Sequence, residues 1–463
     1  MATDLKDTIR AAEEAEQATL WDEAARLYEE SLTLLASGGD ARTDEAVLLT
    51  ALGRCYWNVS DARASWRTLR RAMSMYQERG DGVGLARATV EILRIWGPPD
   101  RQRAMAEQAL EALAEQDLRL RALLLFYVGR DEEGLRLADA HGFRDLQAIR
   151  TQREGWAAFD DGRVDEGIAA LQAAHRVYAE ELVFNAAAGT LRGAGFATMQ
   201  AGRFDDGERL AWEAVEYARR VHLRFQEQLA LLDLVGVAFA RCDFARCEEL
   251  IAASPAQTDF RADAYRMWMT EQRGDVPGAL AMLIDPARGG GAPTAVSQIH
   301  ASSAGVLHHA GRADAATREL EAWAEVARQY GSFAEEAPAV SDCLDELGSD
   351  ELVREVDEAY AAEPSSRLAY ATLQGRCTGY TRGALALRLG RVDEAQSRFN
   401  EGLTLAERER CPIDAARCLE GMARIADRRG ENDARAGYLA RAAELYAQHG
   451  ARLYLDRMTR SGG

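Results

Sequence analysis

The chain has 463 residues, 47% of them apolar, which is ample for a packed core, and its 75 acidic residues against 56 basic ones leave a formal charge of −19. That balance repels phosphate backbones and anionic headgroups, so neither direct nucleic-acid binding nor membrane-surface binding is expected. Lys6 is the only lysine, an arginine bias typical of GC-rich bacterial coding, and it removes phosphate-loop, kinase-type and Schiff-base lysines from the rest of the chain.

Read from its start, Met1 to Asp7 is charged and lacks an apolar run, so secretion is not indicated and a cytoplasmic location is expected. From Thr19 onward one short cassette returns twelve times: a Gly or its stand-in, two or three polar residues, then a small residue opening an amphipathic helix. Copies begin at Thr19, Ser60, Gly97 and Gly129, then at Gly162, Gly202, Cys242 and Gly274, and finally at Gly311, Gly348, Gly390 and Gly430. The clearest are Gly162-Arg163-Val164-Asp165-Glu166-Gly167, Gly202-Arg203-Phe204-Asp205-Asp206-Gly207, Gly311-Arg312-Ala313-Asp314-Ala315-Ala316 and Gly390-Arg391-Val392-Asp393-Glu394-Ala395. Steps of 32 to 42 residues predict stacked helical hairpins. The longest apolar run, Ala122 to Val128, falls far short of a membrane span of ~18 residues or more.

Seven residues before the turn stand Gly53, Gly155, Gly195 and Gly383, each inside a predicted helix. Gly there costs about 1 kcal/mol relative to Ala, so four in register imply that a neighbouring helix comes too close for a side chain. Five residues after the turn come Ser65, Gly167, Gly207, Ala316 and Ala395. Four further on, Leu69, Leu171, Leu320 and Phe399 lie on the same face. The one long break, Asp285 to Pro293 with three consecutive glycines, cannot continue a helix. It is either a boundary, with arrays 1–285 and 296–463 joined by a loop over 286–295, or an enlarged inter-helix loop. A shorter interruption at Glu363-Pro364-Ser365-Ser366 precedes the unit at Gly383.

Leu52-Gly53, Tyr56, Ser65, Leu69 and Ala72 resemble the tetratricopeptide repeat, as do Gly155, Gly167, Leu171 and Ala174. The family's terminal Pro is missing here and the steps exceed its usual length. The tail from Ala415 to Met458 is similar to the last units of sensor arrays in large bacterial regulators of the MalT type. The resemblance implies an all-α fold, an α-solenoid of about twelve antiparallel helix pairs, with the first helix of each pair facing a concave side.

Carried onto this chain, the inward positions are Arg54, Trp57 and Asn58; Gln152, Trp156 and Asp160; Arg192, Phe196, Met199 and Gln200; and Leu232, Phe239, Trp268, Gln272, His308, His309, Tyr380 and Arg388. Their large aromatics are either anchors for a bound peptide or apolar ligand, or core that fills the inner face. No lysine is available for a carboxylate clamp that grips chaperone tails. No Gly-x-Ser-x-Gly elbow and no His-Glu-x-x-His helix occurs, and Gly193-Ala194-Gly195 reads as packing. The cysteines at 55, 242, 247, 343, 377, 411 and 418 form no Cys-x-x-Cys pair and read as reduced thiols. His300, His308 and His309 read as face histidines rather than metal ligands. The expectation is a non-enzymatic protein without metal or cofactor that binds a protein or peptide on its concave face, as scaffold or regulatory adaptor. The alternative is a detached sensor array that takes a small-molecule effector and signals to a separate output protein.

Overall fold

The computed structural model describes residues 4–38, 44–95, 99–255, 259–289, 293–363, 368–371 and 374–461. Among them are α1 (Leu5–Gln17), α2 (Trp21–Ala36), α3 (Glu45–Asn58), α4 (Ala62–Arg79), α5 (Gly82–Leu93), α6 (Pro99–Leu113), α7 (Leu118–Tyr127) and α8 (Asp131–His141). There follow α9 (Arg144–Asp160), α10 (Val164–Glu180), α11 (Phe184–Gln200), α12 (Phe204–Arg220), α13 (Arg224–Ala240), α14 (Phe244–Ala253), α15 (Phe260–Gln272) and α16 (Val276–Ala281). The last are α17 (Pro293–His309), α18 (Ala313–Tyr330), α19 (Phe333–Leu347), α20 (Asp350–Ala362), α21 (Thr378–Arg388), α22 (Val392–Arg408), α23 (Pro412–Arg428), α24 (Asn432–Gln448) and α25 (Arg452–Ser461). The fold is all-α and built of helix pairs, with one helix left over at the end.

At most cassette turns among the described residues a left-handed residue stops the first helix. Backbone φ is positive at Gly129, Gly162, Gly202, Gly274, Gly311, Gly390 and Gly430, and equally at the stand-ins Thr19, Ser60 and Cys242. At Gly162 the closing bonds are Arg163 N to Ala158 O (2.7 Å) and Gly162 N to Phe159 O (2.9 Å), which satisfy carbonyls the helix end would otherwise orphan. Gly348 departs from the pattern. It ends α19 in an extended conformation (φ −62°), and Ser349 Oγ then caps α20. The copy at Gly97 lies outside the described residues.

The mid-helix glycines sit where the partner helix presses closest. A Cβ on Gly53 would stand 2.5 Å from Leu69 Cγ, one on Gly155 2.9 Å from Leu171, and one on Gly383 2.5 Å from Phe399. At Gly195 the neighbours are backbone, Ala211 N at 3.0 Å and Gly207 O at 3.1 Å.

Contacts divide the chain into two compact units. The first holds Met1–Gly155, Ala169–Leu191 and Glu213–Gln228, and the second Trp156–Ile168, Arg192–Trp212 and Leu229–Gly463. In the first, Leu69, Met73 and Tyr76 pack with Leu49, Leu85 and Ile92. In the second, Trp323 is fully buried among Leu320, Phe333, Val340 and Val356, and its indole N–H donates to Glu336 (2.9 Å). The stretch expected as a loop over 286–295 lies inside the second unit. Pro286–Gly289 forms a single 3-10 turn packed on α17, which already begins at Pro293 and also touches α15 and α16.

One element was not anticipated. After the interruption at 363–366, Tyr370–Ala371 and Arg376–Cys377 form a two-stranded antiparallel hairpin, β1 and β2, pairing Tyr370 with Cys377 and Ala371 with Arg376. Tyr370 anchors it, its hydroxyl donating to Gly236 O (2.7 Å) and its ring 4.4 Å from Phe204. No helix among the described residues is long and apolar enough to cross a membrane.

Candidate functional site

Within the second unit, α15, α17, α19, α23, α25 and the hairpin line one small cavity of about 30 Å³, whose walls include Trp268, Glu271, His309, Asp342, Arg376, Arg417 and Tyr454. Asp342 is its hub. It accepts from Arg417 Nη2 (2.7 Å), Arg457 Nη1 (2.8 Å), His309 Nε2 (3.2 Å) and the Tyr380 hydroxyl (3.1 Å). Arg417 lies 4.0 Å over the Tyr380 ring and also donates to Ser341 Oγ (2.7 Å). Arg457 continues the chain of charge to Glu420, which accepts from the Tyr446 hydroxyl (2.7 Å).

The electrostatics follow from this crowding. Burial opposes ionisation of Asp342, but Arg417, Arg457 and His309 outweigh it and hold the carboxyl well below its usual range. Burial likewise works against the His309 imidazolium, yet Glu271, at 2.8 Å from Nδ1, and Asp342 raise it to about 9. His309 is therefore charged at neutral pH. Because the folded value lies above the unfolded one of ~6.5, its contribution to stability is full below about pH 6.5 and disappears as pH rises through about 9. The unfolding free energy should fall across that window in urea titrations, and His309→Gln should flatten the fall. An unchanged slope in the variant would remove His309 from the account.

A cavity of this size admits a water or two, whereas organic ligands need roughly 300 Å³ or more. The arrangement is chemically a charge centre that ties together α15, α17, α19, α21, α23 and α25.

The residues expected on the inner face fall in two places. In the first unit Arg54 donates to Glu16 (2.5 Å) and Glu91 (3.5 Å). Trp57 is buried 4.6 Å from Phe225. Asn58 accepts from Asn185 (2.5 Å), and Gln152 from the Tyr178 hydroxyl (3.0 Å). In the second unit Arg192 grips Asp233 with two bonds (2.7 and 2.9 Å) and lies over Phe196. Met199, Gln200, Leu232 and Phe239 are buried, the Gln200 carbonyl accepting from Ala369 N (2.8 Å). Gln272 is buried as well, and Asp160 half-buried. Arg388 ties down the end of α19 through Leu344 O (2.8 Å) and Gly348 O (2.5 Å). Trp156, Phe196, Trp268 and His308 are half-buried. His300 pairs with Glu319 (2.6 Å) and His308 with Glu346 (3.6 Å).

The structure thus gathers Trp268, His309 and Tyr380 around the charge centre, with Phe239 5.9 Å from Trp268. Sequence reasoning missed Glu271 and Asp342, although a signal existed. They stand four and one residues after the position seven before Gly274 and Gly348, the same inward offsets used at the stronger copies. Nothing in the cassette marks Arg417, Arg457 or Arg376.

No family model matches the chain, and no curated protein matches it. Solved structures similar to it include the yeast Tom70 (12% identity, covering 99% of this chain and 97% of that one, TM-score 0.31). Others are a Rap protein complexed with competence and sporulation factor (11%, 96% and 99%, TM-score 0.29) and the P58(IPK) TPR domain (12%, 96% and 99%, TM-score 0.26). The assignment as an all-α helical-repeat protein rests on the chain's own turns and helix pairs rather than on these superpositions.

Proposed function

We propose that the protein binds a protein or peptide partner on the face formed by the first helices of its pairs, as a cytoplasmic scaffold or regulatory adaptor, and catalyses no reaction. The supporting observation is a contrast among aromatic and apolar residues at inward positions. Met199, Leu232 and Phe239 are buried, yet Trp156 on α9, Phe196 on α11 and Trp268 on α15 keep part of their rings accessible. Large rings held rigidly by neighbours but not covered are the residues that anchor interfaces. The Arg192 clamp on Asp233 holds a guanidinium 5.5 Å over Phe196 and fixes that ring's setting.

The experiment is native mass spectrometry of tagged chain purified at low salt from its own host, alongside Trp156→Ala and Trp66→Ala. Trp66, 49% exposed on α4, is a second helix's ring and serves as control. A stoichiometric protein or peptide should accompany wild type and Trp66→Ala and should be depleted about tenfold or more from Trp156→Ala, the loss of a hot spot of ~1.4 kcal/mol. Retention of a small molecule instead, or a partner indifferent to Trp156, would overturn the reading.

A further inference from the structure

The geometry points to a buried thiolate site for a zinc-class d10 cation, formed by Cys377, Cys411 and Asp414. Cys411 and Asp414 stand at the start of α23, and Cys377, distant in sequence, meets them where β2 reaches that helix end. One ligand atom from each, the two Sγ and a carboxylate oxygen, lies within 4.8 Å of the others, and all three residues are buried. Around a tetrahedral ion with bonds of about 2.3 Å, ligand atoms stand about 3.8 Å apart, so closure needs side-chain shifts of about 1 Å or less.

Two features bear on whether a positive ion fits there. The first is an orphan. Asp414 Oδ2 accepts the Cys377 N–H (3.0 Å), but Oδ1 has no hydrogen-bond partner although the residue is only 1% exposed. A buried carboxylate oxygen without a donor is costly to the fold, and a coordinated cation would remove that cost. The second is the backbone. Cys377 is the N-cap of α21 and Cys411 the N-cap of α23, and neither makes a side-chain capping bond. The neighbouring Cys411 and burial push the Cys377 thiol well up, so the metal-free site keeps that proton and a cation has to displace it.

Donor type selects the ion. Two soft sulfurs and one oxygen suit Zn²⁺ and its analogues and disfavour Mg²⁺ or Ca²⁺, which take oxygen alone. Charge agrees as well. Arg376, half-buried and in electrostatic contact with Asp414, offsets one of the three charges that two coordinated thiolates and the carboxylate would carry, and a divalent cation neutralises the remaining −2. Binding would release both thiol protons to solvent as the two metal–sulfur bonds form. Cys242, whose sulfur accepts from the Ile413 N–H at the same helix end, borders the site.

The test is anaerobic titration of the full chain, reduced and stripped with chelator, with Co²⁺ as spectroscopic probe. One equivalent should produce a thiolate-to-cobalt charge-transfer band that Zn²⁺ abolishes. Cys377→Ser and Cys411→Ser should each lose it, and Cys55→Ser, a buried thiol of the other unit, should keep it. Should the serine variants fail to fold, wild type still decides, since Zn²⁺ should slow alkylation of Cys377 and Cys411 selectively. No charge-transfer band in wild type overturns the proposal, and so does a band that survives both substitutions.

Discussion

Asp342→Ala should lower the unfolding free energy by about 3–5 kcal/mol, the range for removing one partner of a buried ion pair. Four donors converge on this carboxylate from α17, α21, α23 and α25. Its loss strands the Arg417 guanidinium, which is 4% exposed and whose Nε already has no partner. His309 would lose one of its two carboxylates and with it part of the rise in its pKa. Asp342→Asn keeps the shape and some hydrogen bonding but not the charge, so it should fall between wild type and alanine. The double variant Asp342→Leu with Arg417→Met should recover part of the loss, because an apolar pair of similar volume escapes the desolvation penalty that a lone charge suffers. Urea unfolding measures all four. A loss below about 1 kcal/mol in Asp342→Ala, the scale of an exposed pair, would mean the centre is wet and adaptable.

How much of this was legible in the sequence depends on the range of the cause. Turns are local. A left-handed residue must be Gly or pay strain, so Gly162 and Gly202 announce themselves, and Thr19, Ser60 and Cys242 are found only because the cassette around them repeats. The close approach of paired helices was legible too, since Gly53 and Leu69, or Gly383 and Phe399, are set by one helical hairpin. The charge centre is not local. His309, Asp342, Arg417 and Arg457 come from four separate helices, and on each helix a lone charge looks like a solvated residue. Cys377 and Cys411 are brought together by a hairpin of two-residue strands, too short to leave a periodic pattern. Pro338 would end a helix by the usual rule, yet α19 runs through it.

The mid-helix glycines give the sharpest test of register. Gly195→Leu should destabilise by about 3 kcal/mol, at the upper end for overpacking. At most such positions the obstacle is a side chain end that can rotate away. At Gly195 a Cβ would meet Ala211 N at 3.0 Å, Gly207 O at 3.1 Å and Leu210 Cβ at 3.3 Å, so α11 and α12 must separate to admit anything larger than hydrogen. Gly437 provides the opposite case on α24. It is exposed, and its Cβ would meet nothing within 4 Å. There Gly437→Ala should stabilise by roughly 0.5–1 kcal/mol, because alanine surrenders less backbone freedom on entering a helix. The two substitutions add bulk to the same residue type in the same secondary structure, so only the distance to a neighbouring helix separates their signs. Equal effects of both on the unfolding midpoint would show that close helix approach is not what the repeated glycine provides.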